Sequence, residues 1–272
     1  LSASASSIAE NAGTSLTLTA TLSVATTGNV TVSISTSGTG VEGTDYGTIS
    51  DLTISAGDTT GTVSFTPTDD SIYEGNETAI VSISAVSGLA TEDGTQAVTL
   101  TITENESAPT VTLTASASSI AENAGSSLTL TATLSGATDE NVTVSISTSG
   151  TGTEGTDYST ISDITISAGN TTGTTSFTPT DDSLYEGNET GIVAISGVSG
   201  GSASESGTQV VTLTITENES APTVTLTASA SSIAENAGSS LTLTATLSGT
   251  TDEAVTVSIS TSGTGTEGTD YS

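Results

Sequence analysis

The side chains available for chemistry in this sequence are almost all acidic. Thirty-one Asp and Glu residues stand against no Lys, Arg or His, so the formal charge of −31 has no basic side chain to offset it. Cys, Met and Trp are absent as well. Without His or Cys there is no ordinary zinc site and no Ser/His or Cys/His nucleophile. Without Lys there is no Schiff base and no Lys–Asn isopeptide staple, and without Cys there is no disulfide. Nucleic acid and anionic membrane surfaces are poor partners for such a chain, since both are held mainly through Lys and Arg, and no nucleic-acid partner is expected. What remains is oxygen: carboxylates, hydroxyls and amides, the donor set that suits hard cations. The adjacent pairs Asp69–Asp70 and Asp181–Asp182 invite comparison with the acid and base of a glycosidase. Such a site wants a cleft with aromatic platforms, and aromatics are 3% of this chain. The same acids also recur from one part of the chain to the next, which fits ligation better than catalysis. The chain reads as a non-enzyme.

The elements that must position these acids are repeated. Ile-Ala-Glu-Asn-Ala-Gly begins at Ile8, Ile120 and Ile233, and Glu-Gly-Thr-Asp-Tyr at Glu42, Glu154 and Glu267, in steps of 112 and 113 residues. A period of this size signals an array of whole domains. The expected units are 1–107, which lacks the start of its first strand, 108–220, and a truncated 221–272. Within the second unit seven runs alternate apolar with Ser or Thr at period two, the mark of half-buried strands. They are A from Thr110, B around Leu128–Leu134, C from Val142, D from Ile161, E from Thr174, F from Glu189 and G from Gln209. Disorder, the usual fate of an acidic chain, is excluded by this patterning. The expected fold class is all-β: tandem immunoglobulin-like, seven-stranded Greek-key β-sandwiches. No run of 18 apolar residues is present, so no membrane insertion is expected in this segment. There is no signal peptide and no initiator Met, as in an excerpt of a longer chain.

If the strands run alternately up and down, the AB, CD and EF connections and the end of strand G share one pole. The acids of the second unit sort accordingly: Glu122 in AB, Asp157 in CD, Asp181, Asp182, Glu186 and Glu189 in EF, and Glu217 and Glu219 after G. Two carboxylates about 5 Å apart repel by roughly 3 kcal/mol at an effective dielectric near 20. With no base in the chain, the remedies are protonation, splaying apart or a bound cation. Calcium accepts 6–8 oxygens in irregular geometry and tolerates shared carboxylates, whereas magnesium keeps its waters. The plainer alternative is an acidic rim that aids solubility.

The segments Ile-Ala-Glu-Asn-Ala-Gly, Glu-Gly-Thr-Asp-Tyr, Asp-Asp-Ser-Leu-Tyr-Glu-Gly-Asn-Glu-Thr and a last strand ending in Ile-Thr-Glu-Asn-Glu-Ser resemble the Calx-β family. The acidic EF stretch is the most specific part and occurs twice, at Asp69–Glu77 and Asp181–Glu189. The resemblance implies several calcium ions per repeat. In the first repeat it implies ligation by Glu10, Asp45, Asp69, Asp70, Glu74 and Glu77, with the carbonyl of Ile72. In the second it implies Glu122, Asp157, Asp181, Asp182, Glu186 and Glu189, with the carbonyl of Leu184. The family's terminal aspartate run is here Glu104-Asn105-Glu106 and Glu217-Asn218-Glu219, and these four Glu join the ligand set. The third repeat keeps Glu235 and Asp270 but reaches no EF loop.

Strand G ends at the acidic pole, and the next strand A begins a few residues later, after Pro109 or Pro222. Calcium at each junction would fix the angle between neighbouring repeats. The expected function is a calcium-stiffened extracellular stalk, adhesin shaft or surface filament, since millimolar external calcium keeps weak sites filled. Two alternatives stand beside it: a calcium-sensing domain of a membrane transporter, and a subunit that assembles with other copies through incomplete end domains. Threonine ladders such as Thr129, Thr131 and Thr133 are the outward face of a sandwich in this composition. The seven Asn-x-Ser/Thr sequons are what a chain so rich in Ser and Thr produces by chance.

Overall fold

A computed structural model describes all 272 residues, and it contains strands and turns but no helix. In the second repeat the strands are A (Thr110–Ala115), A′ (Ser119–Ala121), B (Leu128–Leu134), C (Val142–Gly150), D (Ile164–Ile166), E (Thr172–Phe177), F (Glu189–Ser199) and G (Val210–Thr216). One sheet has the order E-B-A, continued by a two-residue strand Ser204–Glu205; the facing sheet has the order A′-G-F-C-D. The first repeat builds the same two sheets, E-B-A and A′-G-F-C-D. This is the immunoglobulin-like sandwich expected from the alternation, with one addition. After Ala115 the chain leaves strand B, to which A is antiparallel, and as A′ joins strand G in parallel, Ile120 opposite Ile215. That crossing delivers Glu122 to the end of strand G.

Period two fixes which residues meet between the sheets. Leu128, Leu130, Ala132 and Leu134 are buried while Thr129 faces water. They join Val142, Ile164, Phe177, Val193 and Leu213 in one core of 18 buried residues. In the first repeat the core divides into clusters of 10 and 5 residues.

In the third repeat A (Val224–Ala228) and B (Leu243–Leu247) pair as in the others, while Val255–Gly263, with the same residues as strand C, forms no strand.

Neighbouring repeats touch through backbone. Ile72–Tyr73 in the EF loop of the first repeat pairs in parallel with Ala137–Thr138 in the BC connection of the second. Leu184–Tyr185 pairs in the same way with Thr250–Thr251 of the third.

Candidate metal centre

The motif Glu-Gly-Thr-Asp-Tyr folds into a self-braced turn that aims its aspartate. Glu154 accepts hydrogen bonds from Ile161 N (2.7 Å) and Thr148 Oγ1 (2.6 Å), spanning the CD connection. Gly155, at φ +87°, donates to the carbonyl of Tyr158 (2.7 Å). Tyr158 is 1% exposed and stacks on Phe177 with ring centroids 4.7 Å apart. Asp157 Oδ2 accepts from Thr153 N at 2.6 Å, which leaves Oδ1 for the pole. Glu154, and Asp163, which accepts from Ile146 N and Ser145 Oγ, are therefore structural acids. Gly150 lets strand C reach this turn: it sits at φ +123°, and a Cβ there would lie 2.1 Å from the carbonyl oxygen of Thr190.

The EF loop is pinned from strand G. One oxygen of Glu217 accepts from Glu186 N (2.7 Å) and Gly187 N (2.8 Å). The other accepts from Asn218 N and Glu219 N, both at 2.9 Å, and Glu217 N donates to Asn188 Oδ1. Burial opposes ionisation here, but the backbone N–H groups of Glu219, Glu186 and Gly187 and the side chain of Glu219 outweigh it and hold Glu217 down at about 2. Glu104 repeats the arrangement with Glu74, Gly75, Asn105 and Glu106.

Around these anchors the acids gather in threes. Glu10, Glu104 and Glu106 offer one carboxylate oxygen each within 4.8 Å of one another, as do Asp45, Glu74 and Glu77. In the second repeat the triads are Glu122, Glu217 and Glu219, and Asp157, Glu186 and Glu189. Of the eight loop acids expected at the pole of each complete repeat, six sit in triads. Asp70 is exposed and lies between them: its N–H donates to Glu10 Oε1 (3.3 Å), its Oδ1 accepts from Ile72 N (2.7 Å), and its charge acts on both Glu10 and Glu74. Asp182 repeats this with Glu122 and Leu184. Asp69 and Asp181 are exposed at the rim. Ile72 and Leu184 are half-buried in the strands that meet the next repeat. In the third repeat Glu235 and Asp270 are exposed and outside any triad.

Burying carboxylates without a base disfavours their charged form. Burial first, then the charges of Glu104, Glu106 and Asp70, push Glu10 up to about 7. Burial and then Asp45 push Glu74 and Glu77 up to about 7. Glu122 and Glu189 stand at about 7 for the same reasons. The buried polar side chains of the whole chain are Glu10, Asp45, Glu122 and Thr138, three pole acids and a residue of the inter-repeat strand. Glu77 Oε2, Glu106 Oε2 and Glu219 Oε2 are buried with no hydrogen-bond partner. An orphaned acceptor of this kind calls for a ligand. Clustered hard oxygens with no competing cation fit calcium: the triads would hold it, and it would supply the positive charge the pole lacks.

The Calx-β domain family model matches residues 1–106, 104–219 and 217–272. The chain belongs to the Calx-β family and is a tandem array of its calcium-binding repeat. No curated protein sequence matches it. Among solved structures, the CBD12 segment of CALX1.2 is 15% identical, with a TM-score of 0.34 over 78% of this chain and 96% of that one. The calcium binding domain CBD12 of CALX1.1 is 16% identical, with a TM-score of 0.34 over 71% and 77%. Invasin, a bacterial integrin-binding protein, is 16% identical, with a TM-score of 0.34 over 89% of this chain and 44% of that one. The family assignment rests on the sequence match.

Proposed function

We propose that the chain is a calcium-stiffened structural array, part of an extracellular stalk, adhesin shaft or surface filament, with no reaction assigned to its acids. The observation that carries this reading is the location of the triads. The EF loop that contributes Glu74 and Glu77 also contributes Ile72–Tyr73, the strand that pairs with the next repeat. Cations drawing Asp45, Glu74 and Glu77 together would order that loop and with it the junction. The other triad, through Glu104 and Glu106, lies four residues before strand A of the second repeat. We take the working units as 1–107, 108–220 and 221–272, and the ligands as the two triads of each complete repeat joined by Asp70 or Asp182, with Ile72 and Leu184 contributing carbonyls and more than one ion per pole.

An external location suits the composition. Oxygen sites of this kind fill at millimolar calcium, and a chain without Lys or Arg offers trypsin-like proteases nothing to cut. Small-angle X-ray scattering is the test. In chelator the repeats should sample many relative angles; in millimolar calcium the scattering should become that of one extended particle with a larger, sharper maximum dimension. Identical curves in calcium and chelator would end the stalk reading.

A further inference from the structure

We infer that each EF-loop triad is completed from the following repeat, by Asp139 at the first junction and Asp252 at the second, so that one cation ligates two domains at once. The inference rests on the calcium reading above and goes beyond it by making the site a property of the junction. Asp139 directly follows the Ala137–Thr138 strand that pairs with Ile72–Tyr73 of the first repeat, and its N–H donates to the carbonyl of Tyr73 at 3.4 Å. Glu74 is the next residue after Tyr73. Thr138 is 1% exposed, so the strand that carries Asp139 is held firmly, while Asp139 itself is exposed at its end. The charge of Asp139 reaches the first-repeat triad, where it is among those acting on Glu77. The neighbouring acid Glu140 is already used, since its Oε2 accepts from Gly201 N at 2.9 Å.

The second junction has the same construction. Leu184 and Tyr185 pair with Thr250 and Thr251, Thr250 Oγ1 donates to the carbonyl of Ser183 (3.2 Å), and the charge of Asp252 acts on both Glu186 and Glu189. In each case a fourth acid is placed beside the loop that carries the triad, outside the three whose oxygens lie within 4.8 Å of one another, in a chain that has no base. Like charges brought together in this way oppose the docking of repeats; a cation shared among them favours it, and by linkage docking tightens the cation in turn. The first repeat has Thr27 and Gly28 where the others have Asp139-Glu140 and Asp252-Glu253, and its Thr26-Thr27-Gly28 turn folds. Thr at this position is thus compatible with the loop.

The experiment uses the full chain, its Asp139→Thr/Asp252→Thr variant, and an Asp58→Asn control that removes an exposed acid from the turn between strands D and E. Each is titrated with calcium chloride by calorimetry and examined by X-ray scattering with calcium and with chelator. The double variant should melt in chelator no lower than the parent. It should bind calcium about tenfold more weakly at two of its sites, as expected for removal of one ligand charge. It should also lose the calcium-dependent change in maximum dimension, while Asp58→Asn keeps both. A double variant that keeps the parent's affinities, or that weakens no more than the control, overturns the inference while the parent's own binding leaves the calcium reading standing. Weakened binding with the dimensional change intact overturns it too, since the cation would then not bridge. A parent that binds no calcium removes the calcium reading and this inference together.

Discussion

Saturating calcium at pH 7.5 should raise the melting temperature of the metal-free chain by about 10–20 °C. A ligand at a hundred times its dissociation constant stabilises the folded state by about 2.7 kcal/mol per site. Each kcal/mol moves the transition of a domain of this size by about 4–8 °C. The pH dependence should invert with the metal. In chelator, Glu10, Glu74, Glu77, Glu122 and Glu189 have folded values of about 7 against 4.5 for an unburied glutamate. A raised value contributes stability that is fully present below the unfolded value and is lost as pH climbs through the folded one. The chelated protein should therefore melt at a falling temperature between pH 5 and pH 8, a window set by those shifts. Glu217, held at about 2, works in the opposite sense only as pH falls below its unfolded value and does not disturb this window. Calcium binds the deprotonated acids, so its presence should flatten or reverse the trend and release protons on binding near pH 7. Differential scanning calorimetry across that range, in calcium and in chelator, checks both statements. A chelated melting temperature that rises from pH 5 to pH 8 would show that the buried acids are not strained.

Phe177→Ala should cost the second repeat about 3–5 kcal/mol, the range for truncating a fully buried Phe. At about 4–8 °C for each kcal/mol, that lowers its transition by at least about 12 °C. Phe177 is 0% exposed and carries the face of Tyr158, whose turn aims Asp157 at the metal pole. Stability and calcium affinity of the second repeat should fall together, because the ring packs beneath the turn that holds a ligand. The first repeat has its own stack, Tyr46 on Phe65 at 4.8 Å, so its transition should stay in place. Calorimetry should show one of two transitions displaced. A joint shift of equal size would mean that the two repeats unfold as one unit.

Much of this was legible in the sequence because it follows from local patterning. Period two placed Leu128, Leu130, Ala132 and Leu134 inside, and up-and-down alternation placed Glu122, Asp157, Glu186 and Glu217 at one end, where the triads are found. What local patterning does not carry is pairing. Strand A′ is three residues long and joins G, almost 100 residues away in sequence, so Ser119–Ala121 offers no periodic signal. Strand D pairs with C in the second sheet, a choice that the isolated run from Ile161 does not encode. Residue type also fails to separate ligand acids from braces. Glu154 and Asp163 are spent on backbone N–H groups and hydroxyls, while Asp157, three residues after Glu154 and next to Tyr158 in the same turn, joins a triad. Asp139 was missed because its role depends on contact between repeats. The signal was present all the same, in Asp139-Glu140 and Asp252-Glu253 set against Thr27-Gly28.

The most direct measurement is a calorimetric titration of calcium into the metal-free chain at neutral pH, with magnesium as the control. Saturable binding of at least two ions to each complete repeat, with magnesium far weaker, is the expected result. The absence of saturable binding at millimolar calcium would contradict the account and leave the triads as an acidic rim on a β-sandwich array.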